Sequence, residues 1–212
     1  ICLDLDINSD SPTMVGTVVN TGIDIDLTAG IDLRFYQGDH YTELTDLLGG
    51  AFYVDDNDVN NPNKVVRVGD KYNYNDTGYT NWQGLFAQAE YNKDAISAVI
   101  SVAGNNTSYK REDYFKYTPD DPLRETDWVN FTAFSTKGGL NYRLDEKHNV
   151  FANVGYFERA PFSNAVFLNN TNVTNEDAVN QIGLVLALDE KEKSTIQDKN
   201  LNGKTLFGVY NN

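Results

Sequence analysis

The N-terminal segment places oxygen-bearing side chains at every second position, a spacing that can serve calcium. These residues are Asp4, Asp6, Asn8 and Asp10. Calcium takes several carboxylate and amide oxygens, and a short loop can supply them from alternate positions. Ser9 stands where such a loop needs a glycine, and Val15 stands where a bidentate acid would close the site. The pattern therefore favours a polar strand face or a frayed terminus over a calcium site, and no other cofactor is predicted.

A second set of candidate residues combines aromatic rings with acids between residues 37 and 81. Aromatic side chains offer broad apolar contact with a polar tip, which suits ligand capture. The segment also holds eight acids against three bases. The candidate ligand-binding residues are Tyr53, Asp55, Asp56, Asp58, Tyr72, Tyr74, Tyr79 and Trp82. The alternative, which the pattern favours, is that the rings pack the loop on itself or form an aromatic girdle at a membrane interface.

The charge of the chain restricts its partners. The formal net charge is -14, which repels the phosphates of nucleic acids, so no nucleic-acid partner is expected. A ligand entrance lined by acids also repels anions, most strongly at low ionic strength. A neutral or cationic nutrient, or a peptide, is therefore a more natural ligand than an anionic iron chelate.

The sequence gives no support to catalysis. The two histidines, His40 and His148, lie in a predicted loop and at a predicted turn. The Gly-x-Ser-x-Gly, His-Glu-x-x-His and phosphate-loop patterns do not occur. We therefore predict that the protein is not an enzyme. A β-rich enzyme whose catalytic residues follow no common motif is the least favoured interpretation.

The elements that would carry these residues are β-strands. The stretch Ile23 to Tyr36, IDIDLTAGIDLRFY, has an apolar residue at every odd position and mostly polar residues at the even ones. Side chains alternate between the two faces of a strand, so this stretch predicts a long strand with one apolar face. Similar alternation predicts further strands near residues 14–19, 85–91, 96–103, 134–142 and 150–156. The sequence thus predicts about six strands and no amphipathic helix.

The connections between these strands alternate in length. Short polar segments, NTG, NKD and DEKH, suit tight hairpins, whereas residues 37–81 and 104–127 form two long loops. In an antiparallel up-and-down meander, this alternation places the long loops on one side of the sheet and the short turns on the other. Transmembrane β-barrels of the outer membrane have that arrangement. The alternative is a soluble or secreted all-β ligand-binding module, such as a sandwich with long ligand loops.

Three blocks of the sequence carry a family likeness. They are GIDLRFYQGDHYTELTDLLGGAFYVDDNDVNNP, VGDKYNYNDTGYTNWQGLFAQAEYNKDAISAVISVAGNNTSYKREDYFKY and HNVFANVGYFERAPFSNAVFLNNTNVTNED. Together they resemble the barrel of a TonB-dependent outer-membrane receptor, of the Bacteroidetes type with a carboxypeptidase-regulatory-like extension. The resemblance implies an all-β fold, an antiparallel meander that is part of a transmembrane β-barrel, with long loops on one side.

The resemblance also implies a function and a set of partners. The expected function is energised nutrient uptake across the bacterial outer membrane, driven by the TonB complex through parts of the receptor that this sequence does not show. The expected partners are outer-membrane lipid, the TonB complex and a small nutrient or peptide ligand. Because the barrel of the family has more strands than the six recognised here, we expect a barrel fragment that is not active alone.

The expected organisation has three parts. Residues 1–12 are predicted to be an irregular N-terminal segment, residues 13–177 a partial barrel, and residues 178–212 a divergent tail of uncertain fold. In the barrel, the odd positions of Ile23 to Phe35 and the even positions of Ile96 to Val102 face lipid. In a sandwich, the same positions form a shared core. The even positions of Val150 to Tyr156 also face lipid, and Pro161, which has no amide proton, marks the point where that strand leaves the sheet.

Partitioning distinguishes the barrel from the sandwich. A protein whose apolar strand faces contact lipid should sediment with membranes and require detergent for extraction. Recovery of the protein in the soluble fraction without detergent would contradict the receptor interpretation.

Overall fold

The fold is one antiparallel sheet in which neighbours along the chain are neighbours in space. The computed structural model describes the backbone of residues 2–20, 24–192 and 205–211 and the side chains of residues 24–186. The sheet contains, in order, β1 (Cys2–Asn20), β2 (Ile25–Glu43), β5 (Lys71–Lys93), β6 (Ile96–Asp113), β7 (Val129–Arg143), β8 (His148–Arg159), β9 (Gln181–Glu192) and β10 (Thr205–Asn211). A separate hairpin, β3 (Tyr53–Asp55) with β4 (Lys64–Val66), lies in the connection between β2 and β5. This architecture confirms the predicted all-β meander.

Helical structure is minor. A single turn, α1 (Ser163–Val166), and a short 3-10 segment, η1 (Leu168–Asn170), lie in the connection between β8 and β9. Within the part of the chain that the structure describes, no helix has the length and apolar character needed to cross a bilayer.

One face of the sheet carries a mainly apolar band. Residues that pair directly across antiparallel strands share a face, so Ile31 of β2, Leu85 of β5 and Gly104 of β6 form one row. Ile100 is 58% exposed and Leu85 is 63% exposed. The predicted faces of β2, β6 and β8 all lie on this side and are open to the surroundings. A sandwich would bury them in a shared core, so their exposure supports contact with lipid.

The dimensions of the apolar band match a bilayer. On β2 the band runs from Ile25 to Phe35. At ~3.3 Å per residue and the tilt of barrel strands, this segment rises about 25 Å, the height of the lipid-facing band of outer-membrane barrels. β5 has 23 residues, far more than the ~9–11 that span a bilayer. The additional residues of β5 lie toward Lys71, where the outward residues Gln83 and Asn81 are polar. The sheet therefore continues beyond the apolar band.

The long connections lie at one end of the sheet and the short turns at the other, as predicted. The bounds of the long connections differ from the predicted ones. The long connections are residues 44–70, 114–128 and 160–180, and short turns lie at residues 94–95 and 144–147. The sequence predicts loops over 37–81 and 104–127, but β2, β5 and β6 extend into these ranges in the structure. Both faces of these strand ends are polar. The alternation that signals a strand in sequence is therefore lost there, although the main-chain pairing continues.

The two ends of the chain also differ from the prediction. β1 includes most of the segment 1–12 that we expected to be irregular, and its register with β2 shifts between Asp10 and Thr13. Pro12 lies at this shift and cannot donate to the ladder, which explains why the strand pattern breaks in the sequence. The tail expected to diverge after residue 177 supplies β9, whose Leu184 and Leu186 pair with Tyr156 and Val154 of β8.

The sheet is open rather than closed. Among the described strands, β1 pairs with β2 and β10 pairs with β9, and these two outer strands do not pair with each other. An unpaired strand edge is costly in a bilayer because its main-chain groups lack partners. The open sheet is consistent with the predicted part of a larger barrel.

Neighbouring residues on β6 provide a matched test of the faces. Ile100 lies in the middle of the apolar band, and Val99 points to the opposite face, where it pairs with Glu90. Ile100→Arg should destabilise the membrane-inserted protein by about 2–4 kcal/mol, because it places a cation in lipid. Val99→Arg should cost far less, since the new cation faces Glu90. The folded fraction after urea titration in lipid vesicles measures both effects, and equal losses would contradict the assignment of faces.

Candidate functional site

The three long connections interlock above the sheet. We call residues 44–70, 114–128 and 160–180 the loop cap. The first connection meets the second where Val59 N donates to Phe115 O (2.8 Å) and Asn60 Nδ2 donates to Tyr114 O (2.9 Å). The second meets the third through the buried Asn172, whose Nδ2 donates to Leu123 O (2.8 Å) and to Arg124 O (2.7 Å). The loop cap is therefore one connected structure.

Beneath the loop cap, three rows of residues cross β2, β5 and β6 on the polar face. The rows are Tyr36 with Thr80 and Tyr109, Gly38 with Gly78 and Arg111, and His40 with Asp76 and Asp113. The middle row is shallow because two of its three residues are glycines. A Cβ added at Gly38 would lie 2.1 Å from the Tyr36 hydroxyl, so the tyrosine leans across the glycine. The rows thus form a hollow in the wall of the sheet.

The hollow and the loop above it enclose a cleft of about 260 Å³. The sheet contributes Tyr36, His40, Asp76, Gly78, Tyr79, Thr80, Tyr109, Lys110 and Arg111, of which Tyr79 is one of the predicted ligand residues. The connection between β8 and β9 contributes Ser163, Asn164, Phe167, Asn169 and Asn170. Ligand sites in proteins are concave and combine aromatic walls with a few fixed polar groups. The cleft has that composition, and it is our candidate functional site.

Arg111 is the centre of a buried ion network at the base of the cleft. Its Nη2 donates to Asp76 Oδ2 (2.9 Å) and approaches Asp113 Oδ2 (3.4 Å), and all three side chains are almost fully buried. Its Nη1 donates to the main-chain oxygen of Thr171 (3.1 Å) in the loop cap. Arg111 therefore ties the strand wall to the loop that covers the cleft.

Asp76 of this network remains ionised well below neutral pH. Burial raises the pKa of Asp76, but hydrogen bonds from His40 and Arg111 outweigh burial, so the pKa lies below its ordinary 3.8. Because the pKa of Asp76 is lower in the folded state than in the unfolded state, its ionisation stabilises the fold. This stabilisation is complete above the unfolded pKa and is lost as the pH falls through the folded pKa. The second carboxylate, Asp113, accepts from the amides of Phe115 (2.9 Å) and Lys116 (2.8 Å) and so begins the loop.

His40 links the network to the open side of the cleft. Its Nδ1 lies 3.3 Å from Asp76 Oδ1, and its Nε2 lies 3.5 Å from the Tyr36 hydroxyl. An ionised carboxylate only accepts hydrogen bonds, so this contact places a proton on Nδ1. In the neutral ring, the Nε2 lone pair is then left to accept from Tyr36.

The loop over the cleft is held in a strained conformation. Asn169 and Asn170 both have φ of 54°, in the left-handed region. Their main-chain oxygens accept from Lys116 Nζ, and Tyr109 Oη donates to Pro161 O (2.9 Å). Strained residues persist where surrounding contacts over-determine them, and they are common at ligand sites.

The predicted acids of the first long connection hold that connection together. Asp55 is 1% exposed and accepts from Asn73 N (3.0 Å), and Asp58 is 3% exposed and accepts from Asn60 N (3.0 Å). Asp56 accepts from Asn63 N (3.2 Å). Such side-chain acceptors fix turns.

The predicted aromatic residues do not form one site. Tyr72 belongs to a small core with Leu44 and Val66, and the exposed ring of Tyr53 meets it edge to face at 5.7 Å. Tyr74 lies at a register shift of β5. Tyr79 and Trp82 lie on opposite faces of β5. Tyr79 contacts Trp128 at 6.4 Å on the outward face, whereas Trp82 lies under Arg34 on the polar face. Contact of any of these residues with a ligand stays a prediction.

The candidate metal ligands Asp4, Asp6, Asn8 and Asp10 fall where the structure describes the backbone but not the side chains. The backbone there is continuous strand. Over residues 24–186, no three His, Cys, Asp or Glu side chains are grouped to hold a metal ion.

Sequence reasoning missed most of the cleft. Tyr36, Asp76, Tyr109, Arg111 and Phe167 carry no motif, and four different elements supply the cleft residues. The one available signal was Gly38 and Gly78, two glycines on the polar face of long strands, where a close approach explains the missing side chain.

The comparison with known families decides what kind of barrel this sheet belongs to. Residues 5–195 match the family model described as TonB dependent receptor-like, beta-barrel. The chain belongs to the TonB-dependent receptor family. No curated protein matches the sequence. The family match confirms the predicted resemblance, and it extends through β9, beyond the end of the predicted partial barrel.

Membership of this family indicates the general role and the cellular location of the protein. TonB-dependent receptors are outer-membrane receptor and transport proteins, and the family is not one of enzymes. The apolar band has the character of the lipid-facing surface of such barrels, and the cleft lies on the opposite face of the sheet. The loop cap lies on the long-loop side, which is extracellular in outer-membrane barrels.

Removing the guanidinium tests how the receptor holds its loop cap. Arg111→Met leaves two buried carboxylates without their cation, so opening of the loop cap should become easier by about 3–5 kcal/mol. Arg124→Met, which removes the half-buried pair with Glu112, should cost at most about 1 kcal/mol. Amide exchange of residues 160–180, followed by mass spectrometry, measures the difference. Equal exchange in the two variants would show that Arg111 does not anchor the cap.

Proposed function

We propose that this receptor carries out energised uptake of a small nutrient across the bacterial outer membrane, with the cleft as a ligand-contact site. The observation that carries the proposal is the division of one sheet into an apolar outward face and a polar inward cleft. Lipid contact explains the first, and a polar ligand explains the second. We propose no enzymatic activity, because the polar groups of the cleft bond to one another and to the loop cap.

The strand surplus supports an outward-facing ligand site. β2, β5 and β6 continue past the apolar band on the long-loop side, so the cleft lies above the level of the lipid. A ligand outside the cell then meets the cleft before it meets the membrane-spanning part of the lumen. The loop cap, which contacts the cleft through residues 160–180, is placed to respond to a bound ligand.

Energy coupling requires more than the sheet described here. Lipid-facing strands with uncovered edges are unfavourable in a bilayer, so the transport-competent barrel includes further strands. We propose that the TonB complex acts through those other parts of the receptor, and that the present chain does not transport alone. Its partners are outer-membrane lipid at the apolar band and a small nutrient at the cleft.

Cysteine labelling on intact cells tests the proposed orientation. Leu48 is 92% exposed in the loop cap, and Glu146 is exposed in the turn between β7 and β8. In the full-length receptor with Cys2→Ser, a membrane-impermeant maleimide should label Leu48→Cys on intact cells. It should label Glu146→Cys only after the outer membrane is permeabilised.

Two outcomes would contradict the proposal. Labelling of both positions on intact cells, or of Glu146→Cys alone, would exclude the orientation. The energy dependence of uptake is measured separately. Addition of a protonophore should abolish accumulation of the nutrient while surface labelling stays unchanged. Accumulation that persists at full rate would exclude energised uptake.

A further inference from the structure

The outward face of the sheet has a groove where the apolar band ends on the long-loop side. Gly104 of β6 lies in one row between Leu85 of β5 and Phe134 of β7. A Cβ added at Gly104 would meet no atom within 4 Å, so the space above this glycine is open. The side chains of Leu85 and Phe134 are both exposed and form walls on either side. The result is a shallow groove of about 600 Å³.

The groove has room for one hydrocarbon chain. Only β6 separates β5 from β7, so the bases of the two walls lie about 9–10 Å apart. The leucine and phenylalanine side chains fill part of this interval. The rest admits an extended acyl chain but not a helix, which is ~10–12 Å wide with its side chains. Ala87 and Val102 form the next row toward the short turns, so the floor of the groove continues into the apolar band.

Uncharged polar side chains close the end of the groove nearest the loop cap. Gln83, Asn106 and Thr132 form the row next to Gly104 on that side. The amide of Asn106 is held in place because its Nδ2 donates to Ser108 Oγ (2.9 Å) and to Asn130 Oδ1 (3.4 Å). Within residues 24–186, Asn106 Oδ1 and the Thr132 hydroxyl have no hydrogen-bond partner. An acceptor and a hydroxyl are therefore available at this end.

The charged side chains near the groove are already engaged. Lys110 lies two outward positions beyond Asn106 on β6 and pairs with Glu125. Glu158 of β8 accepts from Phe134 N (3.1 Å). A phosphate would find no unpaired cation in either group. The end of the groove thus favours recognition through hydrogen bonds over recognition through charge.

The hydrogen-bonding groups distinguish two classes of membrane lipid. In an ester-linked glycerophospholipid, the groups that join the acyl chains to the head only accept hydrogen bonds. A chain that is joined through an amide carries an N–H donor at that point, and a sphingoid base adds a hydroxyl beside it. A carbonyl oxygen such as Asn106 Oδ1 accepts from an N–H, whereas a threonine hydroxyl both donates and accepts. The groove is complementary to the amide-linked class.

We propose that this groove binds a membrane lipid whose acyl chain is attached through an amide. The chain lies over Gly104 between Leu85 and Phe134. The amide N–H donates to Asn106 Oδ1, and the neighbouring hydroxyl bonds to Thr132. This inference rests on the proposed contact of the apolar band with lipid.

Two lipids with the same head group test the class of ligand. Sphingomyelin and phosphatidylcholine both carry phosphocholine, but sphingomyelin has the amide and hydroxyl where phosphatidylcholine has esters. Native mass spectrometry of the full-length receptor in detergent measures the affinity for each. Sphingomyelin should bind at least about fivefold more tightly, which is the effect of one additional hydrogen bond. Equal affinities, or a preference for phosphatidylcholine, would overturn the assignment.

Filling the groove tests where the lipid binds. Gly104→Leu places a side chain in the open space and should weaken sphingomyelin at least about tenfold, the effect of excluding about two methylene groups. Ala152→Leu adds the same bulk to the outward face of β8, where Ala152 pairs with Leu140 outside the groove. It should leave the affinity unchanged. Equal affinities in these two variants would show that the lipid does not occupy the groove.

A pair of threonines separates hydrogen bonding from packing. Thr132→Val keeps the shape of the side chain and removes the available hydroxyl, so the preference for sphingomyelin should fall while the affinity for phosphatidylcholine stays the same. The hydroxyl of Thr136 already donates to Ser101 O (3.1 Å). Thr136→Val should therefore leave both affinities unchanged. An equal loss of preference in the two variants would contradict the role of Thr132.

The outcome also separates this site from the proposed lipid contact itself. A receptor that requires detergent for extraction but shows no preference for sphingomyelin would leave the lipid contact standing and overturn the site. Recovery of the receptor in the soluble fraction would overturn both. A second copy or another protein that Gly104→Leu releases, with no lipid bound, would show that the groove serves a protein contact and would likewise overturn the site.

Discussion

Main-chain hydrogen bonding in a bilayer is the constraint on which the rest of this structure depends. Hydrocarbon offers no partner to an amide or a carbonyl, so a spanning strand must pair along its whole length. Pairing in a pleated sheet forces alternate side chains to opposite faces. From this follow the apolar band of Ile31, Leu85 and Ile100 and the polar wall behind it. The same alternation allows one sheet to meet lipid on one side and a soluble ligand on the other.

The polar wall and the loop cap are mutually dependent. The cleft exists because Gly38 and Gly78 leave a hollow and because residues 160–180 cover it. Arg111 joins the two parts, since it pairs with Asp76 on the wall and donates to Thr171 in the cap. A single buried guanidinium thus connects the stability of the loops with the charge of the ligand site. The two acids pair with this guanidinium, and Asp113 also accepts from the first amides of the second long connection, so they help to hold the cap in place.

The strands that carry the apolar band could be predicted from the sequence, because one face of each has an apolar residue at every second position. The strand ends beyond the lipid could not, since Asn81 and Gln83 are as polar as their neighbours and the alternation is lost. β9 was also missed, because its IGLVLAL run is apolar on both faces and shows no period. Only its pairing with β8 places it in the sheet.

The cleft was beyond prediction for a different reason. Tyr36, Thr80 and Tyr109 form one row only when the register of three strands is known, and a one-residue slip would send each to the opposite face. The acids that the sequence singled out, Asp55 and Asp58, are buried acceptors in turns. Sequence composition identified a loop rich in acids and rings but could not separate residues that build the loop from residues that face a ligand.

The most direct test of the central claim is a spin-label scan of β2 in the full-length receptor in lipid. Labels placed one at a time from Ile25 to Phe35 report relative collision rates with oxygen, which concentrates in lipid, and with a water-soluble nickel chelate. We expect a period of two, with oxygen favoured at every odd position. The even positions should show weak oxygen collision and greater access to nickel. Uniform accessibility along the strand, or oxygen preference at the even positions, would contradict the assignment of faces.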